Sequence, residues 1–262
     1  MNTNQRYILF LDILGFSEMV SVKSADEIMT IIKDSILQFE IWKKRNSDFD
    51  LIYFSDSFVF YQKTTGYASW AFLDIYAISA MILSALLAHE IPARGVINFG
   101  EFYVEENIEK NRNQIFYGKA LVEAYKAERN ENWIGITILQ NAWEPFNYEN
   151  DNLINTFESE GVWRKRDDGV LLLNPLLKLR SWYDSSLVGE ITKPYMEWDA
   201  PEFPNDILAL KFIIKTSEKY ILNGDFNSKM ATKYHSTLQF FKNVMPDYIY
   251  KWGLELVESI ES

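Results

Sequence analysis

A chain of 262 residues with 48 % hydrophobic and 16 % aromatic side chains can bury one large core, or a domain of about 150 residues with an appendage, and is not disordered in bulk. Its formal net charge of −11 argues against a protein that tracks DNA or RNA backbones, because phosphate binding needs clustered Lys and Arg. With no cysteine and only two histidines, His89 and His235, it has no disulfide, thiolate metal site or cysteine nucleophile, and little imidazole chemistry.

The amino terminus, Met1 to Arg6, is polar, no targeting segment is evident, and a cytoplasmic location is expected. Tyr7 to Phe16, YILFLDILGF, reads as a buried strand that presents one carboxylate, Asp12, before a Gly15-Phe16 turn. An ionised Asp there needs a cation or hydrogen-bond donors; it either caps the following helix or meets a metal. After a loop with Lys23 and Ser24, Ala25 to Arg45 carries Ile28, Ile31, Ile32, Ile36, Phe39 and Trp42 at helical spacing, a core-facing stripe. Leu51 to Tyr61, LIYFSDSFVFY, predicts a hairpin with Ser55-Asp56-Ser57 at its tip. Ordinary turn chemistry accounts for Asp and Ser in such a place. Yet a strand ending in Asp and a hairpin carrying Asp can converge on one side of a sheet and share two divalent ions, the arrangement that two-metal phosphoryl chemistry needs.

The segment from about Tyr67 to Glu90 is a helix; its Ala68–Ala88 stretch, with Asp74 as the only charge, approaches a membrane span in length. That charge, the Ser and Tyr content, and punctuation by Gly66 and Pro92 suit a core helix better, so no stable membrane insertion is expected. Ala93 to Val104 predicts a strand with a bulge or bend, Glu105 to Gln114 an exposed polar arm, Gly118 to Arg129 a helix and Trp133 to Leu139 a strand. The order β-α-β-β-α-β, then α-β, predicts an α+β fold: a ferredoxin-like core over residues 1–140 with an antiparallel sheet and helices on one face. Residues 141–262 read as a mostly helical carboxy-terminal extension packed on that core. Within it, Asn141 to Arg166 shows few periodic signals, Gly169 to Leu173 is a strand, and Ser181 to Pro204 is an irregular excursion. Helices over about Asn205 to Leu222 and Ser228 to Ser259 follow, the second interrupted at Pro246.

In this order FLDILGF, YFSDSFVFY, ARGVINFGE and YGKALVEAYKAE resemble the motifs of class III nucleotide cyclase catalytic domains, over roughly Tyr7 to Leu139. The resemblance implies two divalent cations, Mg²⁺ or Mn²⁺, on Asp12, Asp56 and the backbone carbonyl of Ile13. It places Gly15, Phe16 and Ser17 where the triphosphate sits, and Ser55 and Ser57 are counted with them as substrate-binding residues. It also implies a homodimer with active sites at the interface. There are departures: the helix position that is Asn in ordinary cyclases is Val122, the transition-state Arg position is Lys126, and the purine-reading pair falls near Ile52 and Ile115.

The chain is also similar to the pyrimidine cyclases of bacterial antiphage Pycsar systems, through Asp12 to Phe16, Ser55 to Ser57, Arg94-Gly95 and Gly118 to Glu128. That likeness implies cyclisation of UTP or CTP to the 3′,5′-cyclic nucleotide with release of pyrophosphate, the product acting on a separate effector. Asp12, Asp56, Lys126 and Arg94 are the catalytic candidates, and Lys119 and Tyr125 join the substrate contacts. Arg94 near the base favours UTP, because a cation suits a carbonyl acceptor. A salt bridge to Glu101 and a solvated helix end are the plainer roles for Arg94 and Lys119, and Glu128-Arg129 reads equally as a helix-end pair. The other readings are an adenylate or guanylate cyclase with unusual base contacts, a degenerate cyclase domain that senses nucleotide, and a palm-like polymerase or nuclease. The acidic charge speaks against the last.

Overall fold

The computed structural model describes residues 4–45, 48–105, 115–150, 153–176, 205–225, 228–245 and 247–261. In chain order, strand β1 (Gln5–Ile13) leads into a short helix α1 (Phe16–Val22) and the long helix α2 (Ala25–Arg45). The hairpin β2 (Phe49–Phe54) and β3 (Ser57–Gln62) follows, then helix α3 (Ser69–Ala88), β4 (Ala93–Glu101) and a small ribbon of β5 (Tyr103–Glu105) and β6 (Ile115–Tyr117). Helix α4 (Lys119–Asn130), β7 (Gly135–Ile138), α5 (Gln140–Glu149), α6 (Leu153–Ser159), β8 (Trp163–Lys165) and β9 (Leu171–Leu173) come next. Three helices close the described chain: α7 (Asn205–Leu222), α8 (Lys229–Val244) and α9 (Asp247–Glu261).

The main sheet runs β2-β3-β1-β4-β7-β9-β8, and its first four strands have the ferredoxin-like order. Because β1 is flanked by β3 and β4 and covered on both faces, its sequence is almost continuously apolar. Tyr7, Leu9, Leu11 and Ile13 enter a large core shared with α2 and α3, while Ile8 and Phe10 enter a smaller one with Ala120 and Ala124 of α4. Each Leu or Phe so buried stabilises the fold by roughly 1.5–3 kcal/mol. The expected α+β, ferredoxin-like cyclase architecture with a helical carboxy-terminal part is therefore observed, with two corrections. Helix α4 covers the opposite face from α2 and α3, since the apolar residues at 8, 10 and 96 need their own cover. The sheet is mixed, because β7 runs parallel to β4.

Local chemistry accounts for several boundaries. Gly95 lies where strands touch: a Cβ there would come 2.7 Å from the Phe10 carbonyl oxygen, so no side chain fits beside β1. Asn98 is buried and donates its amide to the Ala120 carbonyl at 2.9 Å, tying the start of α4 to β4. Helix α3 is long and apolar enough to cross a membrane, with mean hydropathy 2.0, yet 83 % of that stretch is buried inside the protein. Its polar groups have internal partners: the Tyr76 hydroxyl donates to the Val162 carbonyl at 2.7 Å and Ser84 donates to Asp206 of α7 at 2.6 Å.

After residue 140 the chain is more regular than its sequence suggests: α5, α6 and β8 occupy the stretch with few periodic signals, and β8 and β9 extend the same sheet. The helix expected over Ser228 to Ser259 is two, α8 and α9, with Pro246 falling between them in sequence. Helix α8 is pinned to the core at Ile134, whose amide donates to the Thr237 hydroxyl at 2.8 Å and whose carbonyl accepts from it at 3.1 Å. Trp133 and Phe240 pack edge to face beside that clamp, with ring centroids 5.0 Å apart. The polar arm at Glu105 to Gln114, after its first residue, and the excursion at Ser181 to Pro204 lie outside the described residues.

Candidate active site

Two neighbouring strands deliver the two sequence-predicted carboxylates to one end of the sheet. Asp12 is the penultimate residue of β1 and pairs directly with Ser57, the first residue of β3. Ser55 and Asp56 form the two-residue turn, with Ser55 in the left-handed region at φ 54°. A tight hairpin demands that geometry, at a cost of about 1 kcal/mol for a residue with a Cβ. The Ile13 amide donates to the Asp56 carbonyl oxygen at 2.9 Å, so the backbone itself locks the turn against the end of β1. The Ser57 hydroxyl donates to Asp12 Oδ1 at 3.0 Å.

Electrostatics mark Asp12 as a carboxylate without a dedicated counter-ion. Burial, assisted by the negative charges of Glu128 and Asp56, pushes its pKa up from 3.8 to about 6 against the opposing effects of the Ser57 hydrogen bond and Arg94. Arg94 stands opposite Asp12 across the β1–β4 pairing, but its guanidinium is engaged elsewhere. Its Nε donates to Glu128 Oε1 at 2.5 Å, its Nη2 reaches the same oxygen, and Nη1 donates to the Glu131 carbonyl at 2.6 Å. The pair is buried between β4 and the end of α4. This replaces two expectations: Arg94 bonds Glu128 rather than Glu101, and Glu128 turns inward instead of forming a helix-end pair. Arg129 lies over the exposed ring of Tyr125, 5.7 Å from its centroid.

The chemistry of the donor set fits divalent cations. Two carboxylates and the Ile13 carbonyl are hard oxygen donors, and an acidic pair whose nearest guanidinium is already taken is under-neutralised. Among the described residues no group of three or more His, Asp or Glu is placed to hold a metal, so substrate phosphates or water would complete the coordination.

Of the other sequence-predicted residues, Gly15 adopts φ 73° just before α1, Phe16 is half-buried against the core and Ser17 is exposed, all one turn beyond Asp12. Lys119, Tyr125 and Lys126 lie on the exposed side of α4, with Lys119 paired to Glu123 at 3.5 Å and Tyr125 edge-on to Phe10. None of the three is among the groups that act on the Asp12 carboxyl. Ile52 is buried in the smaller core, and Val122 and Ile115 are exposed. Sequence reasoning missed Glu128 as the partner of Arg94, and Lys233 of α8, which lies within electrostatic reach of Arg94, Glu128 and Asp12. For Glu128 the signal was there, in its position on the inner side of α4 with Ala120 and Ala124; for Lys233 no local pattern pointed to a strand so far away in sequence.

The architecture is the class III nucleotide cyclase fold: a ferredoxin-like sheet with a further parallel strand and helices on both faces. No family model and no curated protein sequence matches the chain. Among solved structures it is similar to the guanylyl cyclase domain of the RhoGC fusion protein from the aquatic fungus Blastocladiella emersonii, with 14 % identity and a TM-score of 0.50 over 65 % of this chain and 93 % of that one. It is similar to the adenylyl cyclase CyaB from P. aeruginosa, with 12 % identity and a TM-score of 0.50 over 65 % and 93 %. A third neighbour is the catalytic core of a rhodopsin-guanylyl cyclase with converted specificity in complex with ATPalphaS, with 13 % identity and a TM-score of 0.50 over 66 % and 96 %. At these identities the likeness is one of fold, and it leaves about a third of this chain outside it.

Proposed function

We propose that this protein is a nucleotide cyclase that converts a pyrimidine nucleoside triphosphate to its 3′,5′-cyclic monophosphate and pyrophosphate. The observation that carries the reading is the meeting of Asp12 and Asp56 at one sheet end, locked by the Ile13–Asp56 backbone bond, in a fold shared with guanylyl and adenylyl cyclase domains. In the reaction the ribose O3′ bonds to the α-phosphorus and the bond from that phosphorus to the pyrophosphate oxygen breaks. Two divalent cations on Asp12, Asp56 and the Ile13 carbonyl would acidify the 3′-hydroxyl and offset phosphate charge. Since attack is intramolecular, the chain's own task is orientation: β1 and the β2–β3 turn fix the carboxylates, and the Gly15–Ser17 turn offers amides to phosphate oxygens.

Pyrimidine choice is supported by what stands at the purine-reading positions: a buried Ile52 and an apolar Ile115 offer no hydrogen bond to a purine edge. The preference for UTP over CTP loses the support it drew from Arg94, whose donors are taken by Glu128 and Glu131. A homodimer is supported by the exposed apolar residues Phe54, Ile115, Tyr117, Val122 and Tyr125 around α4 and the β5–β6 ribbon. The fungal neighbour's guanylyl cyclase domain is itself dimeric, though non-canonically so. Lys126 and Tyr125 are then the groups one protomer offers to its partner's site. The reading extends to a cytoplasmic second-messenger synthase in antiphage defence, whose product acts on a separate effector.

The test is incubation of the purified protein with Mn²⁺ and each of ATP, GTP, CTP and UTP, with products identified by mass spectrometry. A cyclic pyrimidine nucleotide is expected, and Asp56→Ala should lower its formation at least a hundredfold, the loss of several kcal/mol of metal-borne stabilisation, with an unchanged fold. Cyclic AMP or GMP alone would overturn the base assignment, and parental turnover by Asp56→Ala would overturn the site.

A further inference from the structure

We infer that Lys233, on helix α8 of the carboxy-terminal extension, is a binding residue for the polyphosphate of the substrate in the same protomer, which makes the extension part of the active site. The inference rests on the cyclase reading for the identity of the ligand as a triphosphate, but its geometry is independent of the base. The extension is fixed to the core one helical turn from Lys233. Thr237 holds both the amide and the carbonyl of Ile134, and the next residue, Gly135, pairs with Arg94 across the parallel β4–β7 ladder. Lys233 and Thr237 are four residues apart and share a helix face, and helical side chains lean towards the amino terminus of their helix. Tyr234, buried against Phe212 and Tyr220 of α7, sets the rotation of α8, so Lys233 stays half-buried beside the Asp12–Arg94–Glu128 group.

Charge accounting turns that position into a function. Glu128 is satisfied by Arg94, and no carboxylate among the described residues lies within salt-bridge distance of Lys233. Burial of this half-buried ammonium and the nearby Arg94 lower its pKa, and the carboxylates of Glu128 and Asp12 offset that only in part. An anion arriving between Lys233 and the carboxylate end of the sheet relieves this. A nucleoside triphosphate suits, because it carries more negative charge than two divalent ions already shared with two carboxylates can neutralise. Lysine is a point charge with rotatable donors, suited to a phosphate group whose position changes as pyrophosphate leaves.

The test uses the full chain and two ligands, inorganic tripolyphosphate and orthophosphate, each titrated calorimetrically in the presence of Mn²⁺. Lys233→Gln should weaken tripolyphosphate binding roughly tenfold to a hundredfold, leave orthophosphate binding within about twofold, and leave the melting temperature equal to or above wild type. Lys233→Arg should restore most of the affinity, a rescue that a packing role would not give. In turnover with the preferred triphosphate, the Gln variant should raise KM by a similar factor. If wild type binds tripolyphosphate and Lys233→Gln binds it equally well, the inference is overturned and the cyclase reading stands. Lys233-dependent binding without any cyclic product from the four nucleotides would keep this site and sink the function. A wild-type chain that binds no tripolyphosphate would sink both.

Discussion

The carboxylate end of the sheet and the outer side of α4 both supply candidate residues, and they differ in how those residues are held. At the sheet end the groups are held by bonds: Ser57 bonds Asp12, the β2–β3 turn is bonded to Ile13 through its backbone, and Arg94 is enclosed by Glu128 and the Glu131 carbonyl. On α4, Lys119, Tyr125 and Lys126 are exposed. A residue type that reads as catalytic in sequence therefore means two things here. The buried cation Arg94 is spent on holding α4 against β4, whereas the exposed cation Lys126 forms no salt bridge among the described residues.

The comparison breaks most visibly at Arg94. Arg94→Ala leaves Glu128 buried without a partner and should destabilise the fold by about 3–5 kcal/mol, measured by urea denaturation. The double variant Arg94→Met with Glu128→Leu should recover most of that loss, since it removes both charges at once. If Arg94→Ala unfolds within about 1 kcal/mol of wild type while turnover collapses, Arg94 belongs with the substrate after all.

A smaller effect of opposite sign is expected at Asp12. Moving a carboxyl from 3.8 to about 6 costs a fully buried ionised form roughly 3 kcal/mol, and solvent screening of this half-buried group reduces that to roughly 1 kcal/mol. Its folded pKa is raised, so the folded state binds the extra proton, and in metal-free protein stability falls as pH rises from about 4 to about 6. Asp12→Asn should therefore abolish turnover yet raise the metal-free melting temperature at pH 7, and flatten the pH dependence in that window. Adding Mn²⁺ should raise the melting temperature of wild type and not that of the variant. A variant less stable than wild type without metal would mean that Asp12 is held by more than the Ser57 hydroxyl.

The same contrast explains what the sequence made legible. The two carboxylates could be placed because each ends a short apolar run whose period and turn residues are local signals, and β1 to β4 follow from them. The partner of Arg94 was not legible because it is chosen by tertiary packing: Glu128 faces inward with Ala120 and Ala124, and only the placement of α4 on the second face of the sheet brings it to β4. Helices α5 and α6 escaped because their buried residues, such as Trp143, Phe146 and Phe157, are spaced too sparsely among polar ones to show a stripe. Lys233 could not be read at all, since Thr237 and Ile134 join segments remote in sequence.

The smallest effect on stability, and the most informative about assembly, is expected on α4. Lys126 is exposed and forms no salt bridge among the described residues, so Lys126→Ala should stay within about 0.5 kcal/mol of wild type in denaturation. Its effect should appear only in turnover, and only for the site to which it points. If that site belongs to the other protomer, Lys126→Ala and Asp56→Ala homodimers are each deficient. Mixing them under exchange creates heterodimers with one site that has lost both groups and one that has lost neither. Statistical mixing then restores about a quarter of wild-type turnover. If Lys126 instead acts in its own protomer, each site in the heterodimer lacks one group, and mixing restores nothing. That outcome would detach Lys126 from the partner site and leave the exposed side of α4 with an interface role alone.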